Sequence, residues 1–263
     1  VVAHVLVVGF QSRNCTPYLA HYEALFEAHD VTFDTVFWER EGTPGFTSSP
    51  GVRGTAYSYH DATGTNVVDK TWRALGYMRH VRRLLRTGRY DRLVVLTSEP
   101  AFLLSRSLLG RYSGRYLFDY RDITFERLGW FRRRIDKVIA SSYAAFFSSA
   151  GFVGQFREHE HTYVVHNVAH DVVAAAATAD LRQRHPVRIG FIGFVRFPRE
   201  NESLVDQLAN NDRYLLSYAG TEFRSSDMAA HAAKVGARNV TTTGRYLDSD
   251  KPRLYESVDI INA

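Results

Sequence analysis

One cysteine, Cys15, stands in 263 residues, so no disulfide can close within the chain. That usage fits a reducing compartment, and a cytoplasmic protein is expected. Long apolar runs are missing too. No stretch approaches the roughly 20 residues of a membrane-spanning helix, and no signal peptide is visible. The chain opens on Val1 rather than Met, which leaves any targeting segment open. Several nucleotide and hydrolase signatures are also absent. The first turn, "GFQSRN", has Gly9 but lacks the G-x-G-x-x-G spacing that lets a backbone approach a dinucleotide pyrophosphate, which disfavours a nicotinamide-dependent oxidoreductase. No G-x-x-x-x-G-K-[ST] loop and no G-x-S-x-G elbow occur, which argues against P-loop and α/β-hydrolase chemistry.

What is present is an ordinary globular composition, 45% hydrophobic and 23% charged, with a net charge of +5. A basic balance favours anionic partners without choosing among them. Two clusters carry much of it. "YMRHVRRLLRTGR" (Tyr77–Arg89) places Met78, Val81, Leu84 and Leu85 at helical spacing among arginines, and "WFRRRIDK" (Trp130–Lys137) is a second basic-aromatic group. Solvated helix faces explain such runs; contact with an anionic membrane surface is the other reading, and would make the protein peripheral at the inner face of a membrane.

Short apolar runs alternate with helical patterns along the chain, which predicts β-α-β units and parallel sheets. The strand-like segments are His4–Asn14, Asp30–Arg40, Asp91–Pro100, the run Tyr116-Leu117-Phe118 that ends in Asp119, Arg121 and Asp122, Asp136–Ser142 and Thr162–Asn167, with a short helix through Phe147. Glu41–Gly64, rich in Gly, Ser, Thr and Pro, reads as an ordered loop or flap. The pattern restarts at "VRIGFIGFVRF" and runs through "YLLSYAGTE", "NVTTTGRY" and "VDIINA". The expected organisation is α/β: a first Rossmann-like domain over 1–167, a linker over 168–186, and a second, incomplete one over 187–263.

Ligands of open parallel sheets bind beyond the carboxyl ends of the strands. The polar residues expected there are Thr97-Ser98-Glu99, Asp119 to Asp122, Ser141-Ser142, His166-Asn167, Arg196, Gly220-Thr221-Glu222 and Gly244-Arg245-Tyr246. Side chains alternate along a strand, so Asp119 and Arg121 share a face while Asp122 begins the next loop. An ion pair holding the strand's mouth and a catalytic group are both open readings of "DYRD". Four histidines, His159, His161, His166 and His170, invite a metal reading. His161 and His166 bracket a strand and lie about 16 Å apart at roughly 3.3 Å per residue, too far for one ion.

The ordered series "DRLVVLTSEPAFLL", "RYLFDYRD", "IDKVIASSYAAF", "YVVHN", "RIGFIGFVRFPRENESLVDQL", "YLLSYAGTE", "NVTTTGRYLD" and "LYESVDII" resembles the glycosyltransferase family 4 group across nearly the whole chain. The resemblance implies the two-domain GT-B fold, with its sheets facing across a cleft, and retaining transfer of a sugar from a nucleotide-diphosphate donor. It implies no divalent metal and no cofactor, a UDP-, GDP- or dTDP-sugar, and a glycan or lipid-linked acceptor; nucleic acid is not expected. By that likeness Gly193, Arg196, Gly220, Thr221, Glu222, Arg245 and Tyr246 face the donor, with Gly9 and Phe10 also binding substrate. Asp119, Arg121, Asp122 and Glu99 are the catalytic candidates. The sequence departs from the family in three ways. Phe194 rather than Arg follows Gly193, "DYRD" stands where many members carry a His, and the chain stops at Ala263 before the family's two-glutamate segment. A GT-B-fold protein that binds without catalysing is therefore the alternative.

Overall fold

The computed structural model describes residues 3–16, 18–39, 44–61, 67–157, 159–166, 185–195, 197–222 and 227–261. The chain divides into two compact units, Val1–His170 and Asp171–Ala263. Most of the expected linker, 168–184, lies outside the described residues.

In the first unit the strands β1 (His4–Val8), β2 (Thr32–Glu39), β3 (Gly45–Pro50), β4 (Thr55–His60), β5 (Arg92–Leu96), β6 (Tyr116–Tyr120), β7 (Ala144–Phe147) and β8 (Thr162–Val164) form one sheet. Their order is β3-β4-β2-β1-β5-β6-β7-β8, and every pairing is parallel except β3 with β4. The helices α1 (Leu19–Ala28), α2 (Val67–Thr87), α3 (Ser98–Leu109), α4 (Gly129–Ala140) and the short α5 (Ala150–Val153) connect them. Strands buried on both faces read as continuous apolar runs, and β1 shows why. Val5 and Val7 join Leu19 and Tyr22 of α1 in one core cluster, while Leu6 and Val8 join Tyr77 and Val81 of α2 in another.

Two expectations fail here. Glu41–Gly64 is not a flap where it is described: β3 and β4 make an antiparallel hairpin, and β4 pairs with β2. The hydroxyl and aromatic residues of "TAYSYH" carry real strand propensity, which the flanking glycines and prolines obscure. Asp136–Ser142 is not a strand but the last turns of α4 and the turn beyond it. Phe131, Ile135, Val138 and Ile139 are its buried face, a 3.6-residue period cut in two when "WFRRRIDK" is read apart from "VIASS". The strand is instead Ala144–Phe147, where a short helix was expected. Ser141 and Ser142 consequently precede a strand and lie at its amino end, not at the carboxyl end expected.

The second unit pairs β9 (Val187–Val195), β10 (Tyr214–Glu222), β11 (Val240–Gly244) and β12 (Ile260–Ile261) in the order β11-β10-β9-β12, all parallel. Helices α6 (Pro198–Leu208), α7 (Met228–Lys234) and α8 (Lys251–Glu256) link them. Phe191, Val195, Val205, Leu216, Tyr218 and Met228 form its core. Among the described residues no helix is long and apolar enough to cross a membrane.

Candidate functional site

In the first sheet the strand order reverses between β1 and β5: the chain runs outward through β2 and β4, then returns to β5 on the other side of β1. Adjacent connections leave to opposite faces at such a point and open a crevice at the strands' carboxyl ends. Gly9 and Phe10 follow β1, and Thr97 to Glu99 follow β5. A cavity of about 660 Å³ lies there, walled by Phe10, Trp38, Phe102, Phe125, Trp130 and Phe131. Phe102 stacks on Phe131 at 4.7 Å, and Phe10 meets Trp38 edge-on at 5.3 Å between ring centroids. Trp130 is 55% exposed and Phe125 53%, so the aromatic wall continues onto the surface. Only two lining residues ionise, Glu99 and Lys70.

Glu99 is delivered by an unusual backbone. Thr97 has φ 73°, a left-handed conformation that a β-branched residue adopts only under strain. Its N–H donates to the Asp119 carbonyl at 2.8 Å, which holds the turn while α3 begins at once with Ser98. Burial pushes the Glu99 carboxyl above the ordinary range, and the charges of Glu126 and Asp122 add to the effect, against its own backbone amide and Thr97. The loop after β6 is tied to the same corner: Ser98 and Thr124 share a hydroxyl contact of 2.7 Å, and the Glu126 carboxylate accepts the Thr124 N–H.

The "DYRD" residues separate by role. Asp119 is fully buried and Arg121 is 5% exposed. Arg121 Nε lies 2.5 Å from Asp119 Oδ1, and Nη2 donates to Oδ2 at 2.8 Å. Tyr22 donates its hydroxyl to Asp119 at 2.6 Å, Arg121 reaches the Val165 carbonyl at 2.8 Å, and the guanidinium lies 4.5 Å from the centre of the Tyr18 ring. Burial pushes the Asp119 carboxyl up, against the pull of Arg121 and Tyr22. Asp122 is exposed in the loop that follows. Gly9 turns out to be a packing glycine: a Cβ there would lie 2.3 Å from the Phe37 ring, and its carbonyl accepts the Tyr77 hydroxyl. His166, just past β8, is held through Nδ1 to the Ser148 carbonyl at 3.0 Å; Asn167 and His170 lie outside the described residues.

In the second unit three neighbouring strands each carry a glycine with positive φ at the carboxyl end: Gly193 (139°), Gly220 (141°) and Gly244 (68°). Gly193 and Gly220 are register partners across β9 and β10, and a Cβ on Gly220 would fall 1.6 Å from the Gly193 carbonyl oxygen. Nothing lies within 4 Å of a Cβ built on Gly193 or Gly244, so the space on that side of each is open. Thr221 and Arg245 are exposed beside them, and Tyr246 is half-buried. Glu222 is engaged structurally, accepting the Met228 N–H at 2.8 Å where α7 begins. Arg196 lies outside the described residues; the exposed Phe194 and Phe197 flank it.

No protein-family model matches the chain, and no curated protein matches it in sequence. Solved structures do. Sucrose-phosphate synthase from Thermosynechococcus elongatus superposes with a TM-score of 0.66 at 10% identity, over 98% of this chain and 74% of that one. Anabaena HepE in complex with UDP and glucose gives 0.63 at 12%, over 98% and 73%. The fold is that of the GT-B glycosyltransferases. A putative UDP-N-acetylglucosamine 2-epimerase from Listeria monocytogenes is also similar, with a TM-score of 0.61 at 9% identity over 99% and 74%. A GT-B-like fold therefore leaves the reaction to be argued from the site.

The aromatic walls are the functional feature that sequence reasoning misses. In the sequence Trp130 and Phe131 stand out only as a basic-aromatic cluster, and Trp38 and Phe102 only as members of apolar runs. Two outcomes test the geometry. Asp119→Asn strands a buried guanidinium and is expected to cost about 3–5 kcal/mol of stability; an unchanged melting temperature would show that the pair holds nothing. For Glu99 the sign follows from its raised folded-state pKa: ionisation is penalised on folding, so stability is lost as pH rises through that pKa. Glu99→Gln should therefore melt higher than the parent at neutral pH, with the gain vanishing as pH falls towards the usual carboxylate value of about 4.3. A gain independent of pH would contradict this.

Proposed function

We propose that the protein is a glycosyltransferase of the family 4 kind. It moves a sugar from a nucleotide-diphosphate donor to an acceptor with retention of the anomeric configuration. The observation that carries this reading is the row of positive-φ glycines, Gly193, Gly220 and Gly244, along one end of the second sheet, with open space beside Gly193 and Gly244. Phosphate oxygens need close, unhindered backbone N–H groups, and side chains at these positions would block the approach. HepE, of the same fold, is described with UDP and glucose bound. Arg196, directly after β9, supplies the cation that a departing nucleotide diphosphate requires.

The acceptor belongs to the first unit. Its apolar part occupies the aromatic cavity, which favours a lipid-linked acceptor over a bare glycan. Its hydroxyl meets Asp122 or Glu99, the two carboxyls at the strand ends that the Asp119–Arg121 pair leaves unused. The epimerase likeness supplies the second reading, a nucleotide-sugar enzyme with no acceptor; the cavity is what favours transfer over it.

Titrating the full-length protein with UDP, GDP, dTDP and NADH separates the classes. One nucleotide diphosphate is expected to bind, and Arg196→Ala to weaken it by about 1.5–3 kcal/mol. Response to NADH alone would overturn the reading. Asp122→Asn is expected to cut turnover at least about tenfold, near 1.4 kcal/mol of barrier, with donor affinity and melting temperature unchanged. Full turnover in that variant would remove Asp122 from the chemistry, and nucleotide binding without any transfer would leave a binding protein.

A further inference from the structure

Far along α3 from Glu99, the last turns of α2 and α3 enclose a second recess of about 680 Å³. Its charged lining is entirely cationic: Arg82 and Arg86 from α2, Arg106 from α3, and Arg111 just beyond it. Leu85, Leu103, Ser107 and Tyr112 complete it. The surrounding sequence is equally one-sided. Residues 79–92 and 103–115 hold nine arginines and a single carboxylate, Asp91. That carboxylate is taken by the His4 N–H at 3.0 Å. Among the described residues no carboxylate forms an ion pair with any of the four lining arginines.

The ordinary role for arginines at these places is to complement helix carboxyl ends. Two of them do so. Arg82 donates to the Leu103 carbonyl at 2.8 Å and Arg111 to the Leu85 carbonyl at 3.1 Å, each across to the other helical segment. Each bond uses one of five guanidinium N–H groups. It fixes the plane of the guanidinium and leaves its other donors available, which is preorganisation rather than satisfaction. Arg86 makes only a contact of 3.3 Å to Arg82 within its own helix, and no hydrogen bond of the Arg106 side chain occurs among the described residues. Tyr112 is 1% exposed, and its hydroxyl is buried with no hydrogen-bond partner among the described residues. Four like charges around one concavity repel, and among the described residues only carbonyl oxygens and the Tyr112 ring, which lies 5.3 Å from the Arg111 guanidinium, meet them; no carboxylate does.

We infer that this recess binds a polyphosphorylated anion, with Arg86 and Arg106 as its free donors and Arg82 and Arg111 as its fixed ones. Planar guanidinium forks suit phosphate oxygens, and the volume exceeds what a single phosphate needs. The phosphates can belong to a soluble polyanion or to the headgroups of a lipid surface. The recess shares only Leu103 with the lining of the aromatic cavity and does not depend on the sugar-transfer reading.

The test uses the full-length protein, with two probes at low and moderate salt. Inorganic tripolyphosphate is titrated calorimetrically, and phosphatidylcholine vesicles with and without phosphatidylglycerol are used in flotation. The variant is Arg86→Gln/Arg106→Gln, which breaks no bond between the helices, and Arg133→Gln on the exposed face of α4 is the charge control. The double variant is expected to lose about tenfold or more in affinity for at least one probe, while the Arg133→Gln control keeps its own. Loss confined to tripolyphosphate identifies a soluble ligand, and loss confined to anionic vesicles a headgroup site; either supports the inference. Equal weakening by Arg133→Gln would reduce the recess to general surface charge and overturn it. So would binding of neither probe by the parent, or parent-like binding of both by the double variant.

Discussion

A buried aspartate cannot stay ionised at the end of a strand without a partner, and the first unit is organised around meeting that demand. Asp119 takes Arg121 from just past its own strand and Tyr22 from α1, while Arg121 reaches onward to Val165 beyond β8. The backbone of the same residues continues the network: the Asp119 carbonyl takes the Thr97 N–H, and the Arg121 carbonyl takes the Ser148 hydroxyl. One charge pair thereby fixes the carboxyl ends of β5, β6, β7 and β8 relative to α1. The strained turn at Thr97, and hence the direction of Glu99, is inherited from it.

The second unit meets a different constraint with a different device. Its strand ends are shaped by missing side chains rather than by charge. Gly220 lies so close to its ladder partner that a Cβ on it would displace the Gly193 carbonyl, while the space beside Gly193 is open. One unit thus presents rings and carboxyls, the other positive-φ glycines. This division of labour suits a reaction in which an anionic leaving group and an apolar acceptor are held by different parts of the chain.

The sequence announces some of this and hides the rest, for physical reasons. Alternating runs reveal parallel sheets because doubly covered strands are apolar throughout, and "DYRD" reveals a pair because side chains two apart share a face. The hairpin β3–β4 is hidden because its hydroxyl-rich strands look like loop. The carboxyl half of α4 is hidden because "VIASSYAAFF" satisfies helical and strand patterns at once, which puts Ser141 and Ser142 at the wrong end of a strand. The cavity is least legible of all. Its walls come from segments around Phe10, Trp38, Phe102 and Phe131, and no local pattern links residues that meet only when the sheet is built.

The hairpin has a further consequence for how the folded chain meets its own copies. A parallel sheet ending on an apolar strand offers an open row of amides and carbonyls to any chain that can pair with it. Here the border strand β3 runs antiparallel, carries Thr47, Ser48 and Ser49, and ends at Pro50, which has no amide hydrogen to give. At the far border β8 is only three residues long. Both borders of the larger sheet are thus poor templates for strand addition, so crowding is more readily borne by the folded unit than its apolar interior alone would allow.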